Sequence, residues 1–405
     1  METIAVIGAG TMGSGIAQLA ALQGCTVHLV DVSQEVLESS LAEIRGRFDH
    51  SVEKGKLKSA QRDAALARLR PADTITGLEE IELAIEAVVE DLPTKQAVFR
   101  SLDRSVPADI ILATNTSSLS VTRIAEAVGD PSRVVGMHFF CPAPVMPLVE
   151  VIAGKDSAKR CVDQAIDIVV SWGKIPVRVK DTPGFIVNRV ARGFYLEAIR
   201  LLGEGVAGVD EIDAILRTHG GFKMGPFELM DLIGLDVNLA ASESVYERLG
   251  KKPRLAPHEI QRDLVAQGKL GRKTGEGFYS YRHAHPLPAF IVERKSFQLN
   301  PLLCDVLLAF SARAGAPQTT STEQYVLARI LAAVINEAGF AFAEEVASAG
   351  DIDVALEVGM NYPRGPLAWA DEIGHNTTAG MLKALNNALP GDRYAPAPLF
   401  ARAKA

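Results

Sequence analysis

The chain has 405 residues, 48% of them hydrophobic and 22% charged, with a net charge of −7. That balance excludes a disordered or low-complexity chain and argues against a dedicated nucleic-acid binder, which needs a basic face to meet phosphates. At roughly 100–200 residues per domain the length predicts two or three domains with a core that needs no disulfide or metal.

The four cysteines, Cys25, Cys141, Cys161 and Cys304, are widely spaced and form no C-x-x-C pair. No disulfide framework and no metal site are expected, and a reducing cytoplasm fits. Ile4–Ile7 follows the start without a basic region, so no signal peptide is expected. The apolar stretch 326–343 carries Arg329, Asn336 and Glu337, so no membrane span is expected.

Over residues 1–183, short apolar runs at Ile4–Ile7, Val27–Val30, Leu83–Val89, Ile110–Thr114, Val134–Met137 and Leu148–Ile152 read as strands. Amphipathic stretches such as Gly15–Gln23 and Thr94–Leu102 lie between them. Strand–helix alternation predicts a parallel sheet covered by helices on both faces. Gln34–Leu69 is charged and helical in period, broken near Lys54-Gly55-Lys56, and predicts a protruding helical hairpin.

The first strand runs into Gly8-Ala9-Gly10-Thr11-Met12-Gly13, a G-x-G-x-x-G sequence that opens a helix. Gly8 permits the tight turn, Gly10 lets backbone approach a pyrophosphate, and Gly13 allows close helix–strand packing. The phosphates then meet unpaired N–H groups at the helix start. Asp31 ends the next apolar run, where it can accept hydrogen bonds from both ribose hydroxyls and repel a 2′-phosphate. The cofactor implied is NAD.

Farther on, His138 ends the strand Val134–Met137, and Glu150 follows the turn Cys141-Pro142-Ala143-Pro144, which can fold Leu148–Val151 back beside it. A His–Glu pair fixes the imidazole tautomer and stabilises the imidazolium, as a base taking an alcohol proton requires. Asn115-Thr116-Ser117-Ser118 also follows a strand, so Ser117 can face the same crevice, while Ser118 or Ser120 starts a helix at Val121.

Asp181-Thr182-Pro183-Gly184 is turn chemistry and marks a boundary. A first helical domain is expected over 184–281, with helices at Ile186–Gly203, Val209–His219, Pro226–Ile233 and Asp236–Leu249, closed by a Gly-, Lys- and Arg-rich loop, Gly268–Tyr281. Residues 282–322 read as a connection with a short apolar segment, Leu302–Phe310. The helical unit then recurs over 323–405 at a shift of 140. Glu197-Ala198 falls on Glu337-Ala338, Asp213 on Asp353, Gly225-Pro226 on Gly365-Pro366, Asp231 on Asp371, and Ile233-Gly234 on Ile373-Gly374. Asn188 faces Ala328, and the sequence given stops at Ala405, just before the position that would match the loop Gly271–Gly275.

Taken as a set, Gly8–Gly13, Asn115–Ser118, His138-Phe139-Phe140, Glu150, Asp181–Arg189 and Gly225–Leu229 resemble the L-3-hydroxyacyl-CoA dehydrogenase family, in order over residues 1–281. The duplicated tail is similar to longer bacterial members, such as 3-hydroxybutyryl-CoA and 3-hydroxyadipyl-CoA dehydrogenases. The resemblance implies an α/β Rossmann-type NAD-binding domain followed by all-α domains like the C-terminal part of 6-phosphogluconate dehydrogenase. It implies NAD-dependent interconversion of 3-hydroxyacyl-CoA and 3-ketoacyl-CoA, in fatty-acid or aromatic-acid (phenylacetate) breakdown.

Residue by residue, it implies His138 as general base with Glu150 as partner, and Ser117 and Asn188 as donors to the reacting oxygens. Gly8, Gly10, Thr11, Met12, Gly13, Asp31, Glu90, Lys95, Asn115, Ser117 and Lys273 fall on the cofactor side, and Lys54 on coenzyme A. Cys141 stands at a cofactor-side position that is usually Asn, and Arg47 replaces a small polar residue of the coenzyme A region. Short members pair through their helical domains, so 323–405 is expected to dock on 185–281 as an internal pseudo-dimer, further homo-oligomerisation staying open. Dehydrogenation of a free 3-hydroxy acid and a catalytically idle NAD-binding protein are the rival readings.

Overall fold

In the computed structural model, which describes residues 2–78, 80–293, 295, 298–316 and 319–401, the strand–helix alternation of the first part becomes one eight-stranded sheet. Its elements are β1 (Thr3–Ile7), α1 (Thr11–Leu22), β2 (Thr26–Val30), α2 (Gln34–Glu53), α3 (Ser59–Leu66), β3 (Leu69–Ala72), β4 (Leu83–Glu86), α4 (Leu92–Ser105), β5 (Ile111–Thr114), α5 (Val121–Ala125), β6 (Val134–Phe139), β7 (Leu148–Ala153), α6 (Lys159–Ser171) and β8 (Ile175–Lys180). The strand order is β3-β2-β1-β4-β5-β6-β7-β8. Strands β1 to β6 pair in parallel, so their carboxyl ends share one edge.

The sheet is not parallel throughout, as the alternation predicts. β7 runs antiparallel to β6, and β8 follows β7. The linking segment 140–147 is too short for a crossover of a dozen residues or more. Two strands escape the sequence reading, β3 and β8. Both are edge strands, and each carries a proline, Pro71 or Pro176, which only an edge tolerates. The helical hairpin forms as α2 and α3, but it does not stand away from the fold. Both helices pack on α1, and Ile44, Phe48 and Ala65 join the hydrophobic core.

This sheet unit comprises residues 1–185, and a second unit comprises 186–405. The latter holds α7 (Val187–Val190), α8 (Arg192–Gly203), α9 (Val209–Thr218), α10 (Pro226–Ile233), α11 (Leu235–Arg248), α12 (Glu259–Ala266), a small ribbon of β9 (Tyr279–Ser280) with β10 (Leu287–Pro288), and α13 (Cys304–Arg313). It continues through α14 (Ser321–Ala343), α15 (Ala349–Met360), α16 (Pro366–Ile373), α17 (His375–Ala388) and α18 (Pro398–Ala401). The bounds of α16 and α17 match those of α10 and α11 at the shift of 140 seen in the sequence. Residues 402–405 of the repeat lie outside the described residues. α13 is the apolar segment of the expected connection, and it packs on α14, α16 and α17.

Within this unit α8 lies against α14. A Cβ at Gly193 would come within 2.8 Å of the backbone of Ala333, its own repeat counterpart. Arg189 donates to Glu337 at 2.7 Å and to Glu344 at 2.6 Å. Its counterpart Arg329 donates to Glu197 at 2.7 Å and to Glu204. Each copy therefore offers the other the same residues, the pattern of a two-fold contact. By length and composition α14 is apolar enough to cross a membrane, but 78% of its apolar window is buried inside the molecule.

Candidate active site

The turn after β1 is built around its glycines. Gly8 has φ +103, and a Cβ there would lie 2.6 Å from the Ala87 carbonyl oxygen; a Cβ at Gly13 would collide with the carbonyl of Gly8. At Gly10, the N-cap of α1, nothing lies within 4 Å of the Cβ position. The first-turn N–H groups, with Thr11 exposed and Met12 half-buried beside them, can therefore be approached by a phosphate. Asp31 follows β2, and its carboxylate accepts from the Ala9 N–H at 2.8 Å and the Ser33 N–H at 3.0 Å. A cleft of about 380 Å³ opens here, walled by Gly8, Asp31, Val32, Ile75 and Val88. Its walls are mainly apolar, with the carboxylates of Asp31 and Asp73 among them, and the residues present suit the adenosine half of NAD.

Register places the next pair. His138 of β6 lies directly opposite Glu150 of β7, and Nδ1 is 2.7 Å from Glu150 Oε2. A carboxylate only accepts here, so Nδ1 carries the proton and Nε2 is left as the basic nitrogen. Glu150 is fully buried and His138 nearly so. The imidazole packs on Phe140, with centroids 4.5 Å apart, and on Phe185 at 5.9 Å.

The turn after β5 is fastened from two sides. Asn115 Oδ1 accepts the Phe139 N–H at 2.8 Å, tying the turn to the end of β6. Glu90 Oε1 accepts from the Thr116 hydroxyl at 2.7 Å and from the N–H groups of Ser117 and Ser118, both at 2.9 Å, with the Ser117 hydroxyl at 3.3 Å. Burial raises the Glu90 carboxyl, but Lys95 and these donors outweigh it and hold the pKa down at about 2. Lys95, only 1% exposed, lies 3.2 Å from Glu90 and 2.6 Å from Glu86. Ser120, not Ser118, caps α5.

Glu86 is a residue the sequence reading misses. It is fully buried at the end of β4 and accepts from Lys95, the Thr114 hydroxyl and the Val88 N–H. Burial pushes its carboxyl up against the pull of Lys95. Its sequence signal is a lone carboxylate inside the apolar run Leu83–Val89, which only a buried cation can balance.

Cys141 is exposed just beyond β6. Lys54 is the exposed C-cap of α2 at the hairpin turn, near Lys56 and Lys58. Arg47 reaches Ser14 of α1 at 3.3 Å. In the second unit, half-buried Asn188 lies in α7, its carbonyl accepting from Arg192 at 2.9 Å. There Lys273 holds both carboxylate oxygens of Asp236 at 2.7 Å, and Ala328 is buried in α14.

Comparison with known proteins identifies a family. The sequence profile described as "3-hydroxyacyl-CoA dehydrogenase, NAD binding domain" matches residues 3–182. That of "3-hydroxyacyl-CoA dehydrogenase, C-terminal domain" matches residues 184–281 and 325–404. The 3-hydroxyadipyl-CoA dehydrogenase of Escherichia coli is 39% identical over 99% of this chain and 97% of its own. A 3-hydroxybutyryl-CoA dehydrogenase of Clostridioides difficile is 42% identical over 69% of this chain and 99% of its own. The crystal structure of a 3-hydroxybutyryl-CoA dehydrogenase from Escherichia coli superposes with a TM-score of 0.88 at 37% identity, covering 99% of this chain and 98% of that one. The chain belongs to the 3-hydroxyacyl-CoA dehydrogenase family and is an NAD-dependent oxidoreductase of that kind.

Proposed function

We propose that the chain interconverts a (3S)-3-hydroxyacyl-CoA and its 3-ketoacyl-CoA with His138 as the general base. The observation that carries this is the buried His138–Glu150 pair, 2.7 Å apart, on the sheet edge where β1 also delivers the dinucleotide turn. Bound NAD supplies the hydride acceptor for C3. Nε2 of His138 takes the hydroxyl proton as the C3–H bond breaks, and in the reverse direction returns it to the new alkoxide. Glu150 keeps Nδ1–H pointed away from substrate and stabilises the imidazolium. Ser117 and Asn188 donate to the reacting oxygens, lowering the energy of the charge that develops there.

Asp31 takes the adenosine ribose, and Thr11, Met12 and Gly10 leave the helix start open to the pyrophosphate. Glu90 fixes the Ser117 turn, with Lys95 behind it as a buried counter-charge. Lys273 and Cys141 fall on the cofactor side, and Lys54 meets a phosphate of coenzyme A. The four free thiols support a reducing, cytoplasmic setting. Relatives named for 3-hydroxybutyryl-CoA and 3-hydroxyadipyl-CoA support a short acyl chain, with or without a terminal carboxylate, in fatty-acid or aromatic-acid breakdown. The reciprocal arginine–glutamate pairs support residues 323–405 as an internal stand-in for a partner's helical domain.

A panel of 3-ketoacyl-CoAs of varied length and terminal charge, followed by NADH absorbance, tests the reading. Turnover is expected with short-chain CoA thioesters and not with the free acids. Equal kcat/KM on a free 3-keto acid would overturn the CoA assignment, and no NADH oxidation with any substrate would overturn the activity.

A further inference from the structure

Five non-glycine residues among those described have positive φ: Phe185, Lys251, Glu345, Asn361 and Asp392. Four are polar and exposed, as turn residues in this conformation usually are. Phe185, at φ 49, is bulky, apolar and 1% exposed. A glycine would take the same backbone without steric cost, so something else accounts for the phenylalanine. An observed outlier of this kind is a reason to ask about function.

The ring gives the answer. Phe185 is the last residue of the sheet unit, and its centroid lies 5.9 Å from that of the His138 imidazole, which Phe140 also packs on. The helical repeat does not require the kink. The counterpart of Phe185 at the shift of 140 is Tyr325, which sits inside the unbroken helix α14 with its hydroxyl 3.2 Å from Arg329.

Resting on the assignment of His138 above, we infer that Phe185 is a positioning residue for the catalytic base. Its left-handed backbone presses the ring against the imidazole, so that the plane is fixed, Nδ1 stays on Glu150 and Nε2 stays aimed outward. When Nε2 takes the hydroxyl proton, the imidazolium stays held between Glu150 and the two aromatic rings.

The test is a double-mutant cycle on the full chain, with Phe185→Leu made in the native and the His138→Gln backgrounds, each variant checked by melting temperature. In the native background kcat should fall roughly 10-fold, as for a misaligned catalytic group, with KM for acyl-CoA and NAD changed by less than about 2-fold. In the His138→Gln background there is no imidazole to position, and Phe185→Leu should lower kcat no further. Phe185→Gly, which keeps the backbone at ease, runs the same cycle should the leucine variant fail to fold. An unchanged kcat in the native background, or an equal fall in both, overturns the inference. If His138→Gln alone keeps the full rate, it is the assignment of the base that fails.

Discussion

Asn188 of the first helical copy is replaced by Ala328 in the second, yet Arg189, Glu197 and Glu204 return there as Arg329, Glu337 and Glu344 and make the same contacts in exchange. Helix capping also survives. Asp213 accepts the N–H groups of Phe227 and Glu228, both at 3.0 Å, and Asp353 those of Leu367 and Ala368 at 2.7 and 2.9 Å. What differs lies around the Gly268–Tyr281 loop of the first copy. Buried Asp231 holds that loop through the N–H groups of Phe278 and Tyr279, whereas its counterpart Asp371 is exposed and pairs with His375.

Lys273 of the loop sits over Gly234, 3.2 Å from its Cβ position. In the second copy Arg313 of α13 takes that place over Gly374, at 3.1 Å, and donates to the Ile373 carbonyl. Ile373 is fully buried as a result, while Ile233 is 40% exposed. The reciprocal arginine–glutamate pairs recur in both copies, Asn188 and Lys273 do not, and α13 of the connection covers the second copy over Gly374.

Substitutions in the two copies test the difference. The largest effect belongs to the reciprocal ion pairs. Arg189→Ala and Arg329→Ala should each cost about 3 kcal/mol, because each takes a buried cation from a buried glutamate, Glu337 or Glu197, that keeps only its remaining partners, Arg254 in one case and Arg200 with Tyr394 in the other. Denaturant unfolding checks this, and a large cost at one site alone would mean that the copies do not share the contact equally. Next comes the chemistry. Asn188→Ala, which makes the first copy like the second, should lower kcat roughly 10²-fold, and Ala328→Asn should leave steady-state rates unchanged.

The two capping aspartates should differ in their pH response. Burial pushes the Asp213 carboxyl up to about 7, with the Tyr279 hydroxyl on it at 2.8 Å. Because the folded pKa lies above the unfolded one, its contribution is full below about pH 4 and is lost as pH rises through 7. Asp213→Asn should therefore flatten the fall in stability between pH 5 and 8 by on the order of 2 kcal/mol, measured by urea midpoints. Asp353, only half-buried, should give a smaller change. The smallest effect is expected where α8 crosses α14. Ala333→Gly should cost about 0.5–1 kcal/mol, and Gly193→Ala more, since its Cβ has no room.

Much of this is legible in the sequence. Gly8–Gly13 with Asp31 placed β1, α1 and β2. A histidine at the end of one apolar run, and a glutamate just beyond a proline-rich turn, placed the His138–Glu150 pair. The repeat was visible as a constant shift. What stayed hidden depends on contacts distant in sequence or on atypical local chemistry. β3 and β8 carry prolines and charges because they are edges. α13 sits in a segment whose periodicity is weak. Glu86 and Lys95 read as separate residues until folding buries them as a pair. Phe185 hides best, since nothing in its identity announces a left-handed backbone.

The role of His138 is read most directly from kcat for NADH-dependent reduction of a short 3-ketoacyl-CoA at saturating substrate, compared between the native chain and His138→Gln at matched melting temperature. A fall of roughly 10²–10⁴-fold with little change in either KM is the predicted result. Retention of the native kcat by the His138→Gln variant would contradict it.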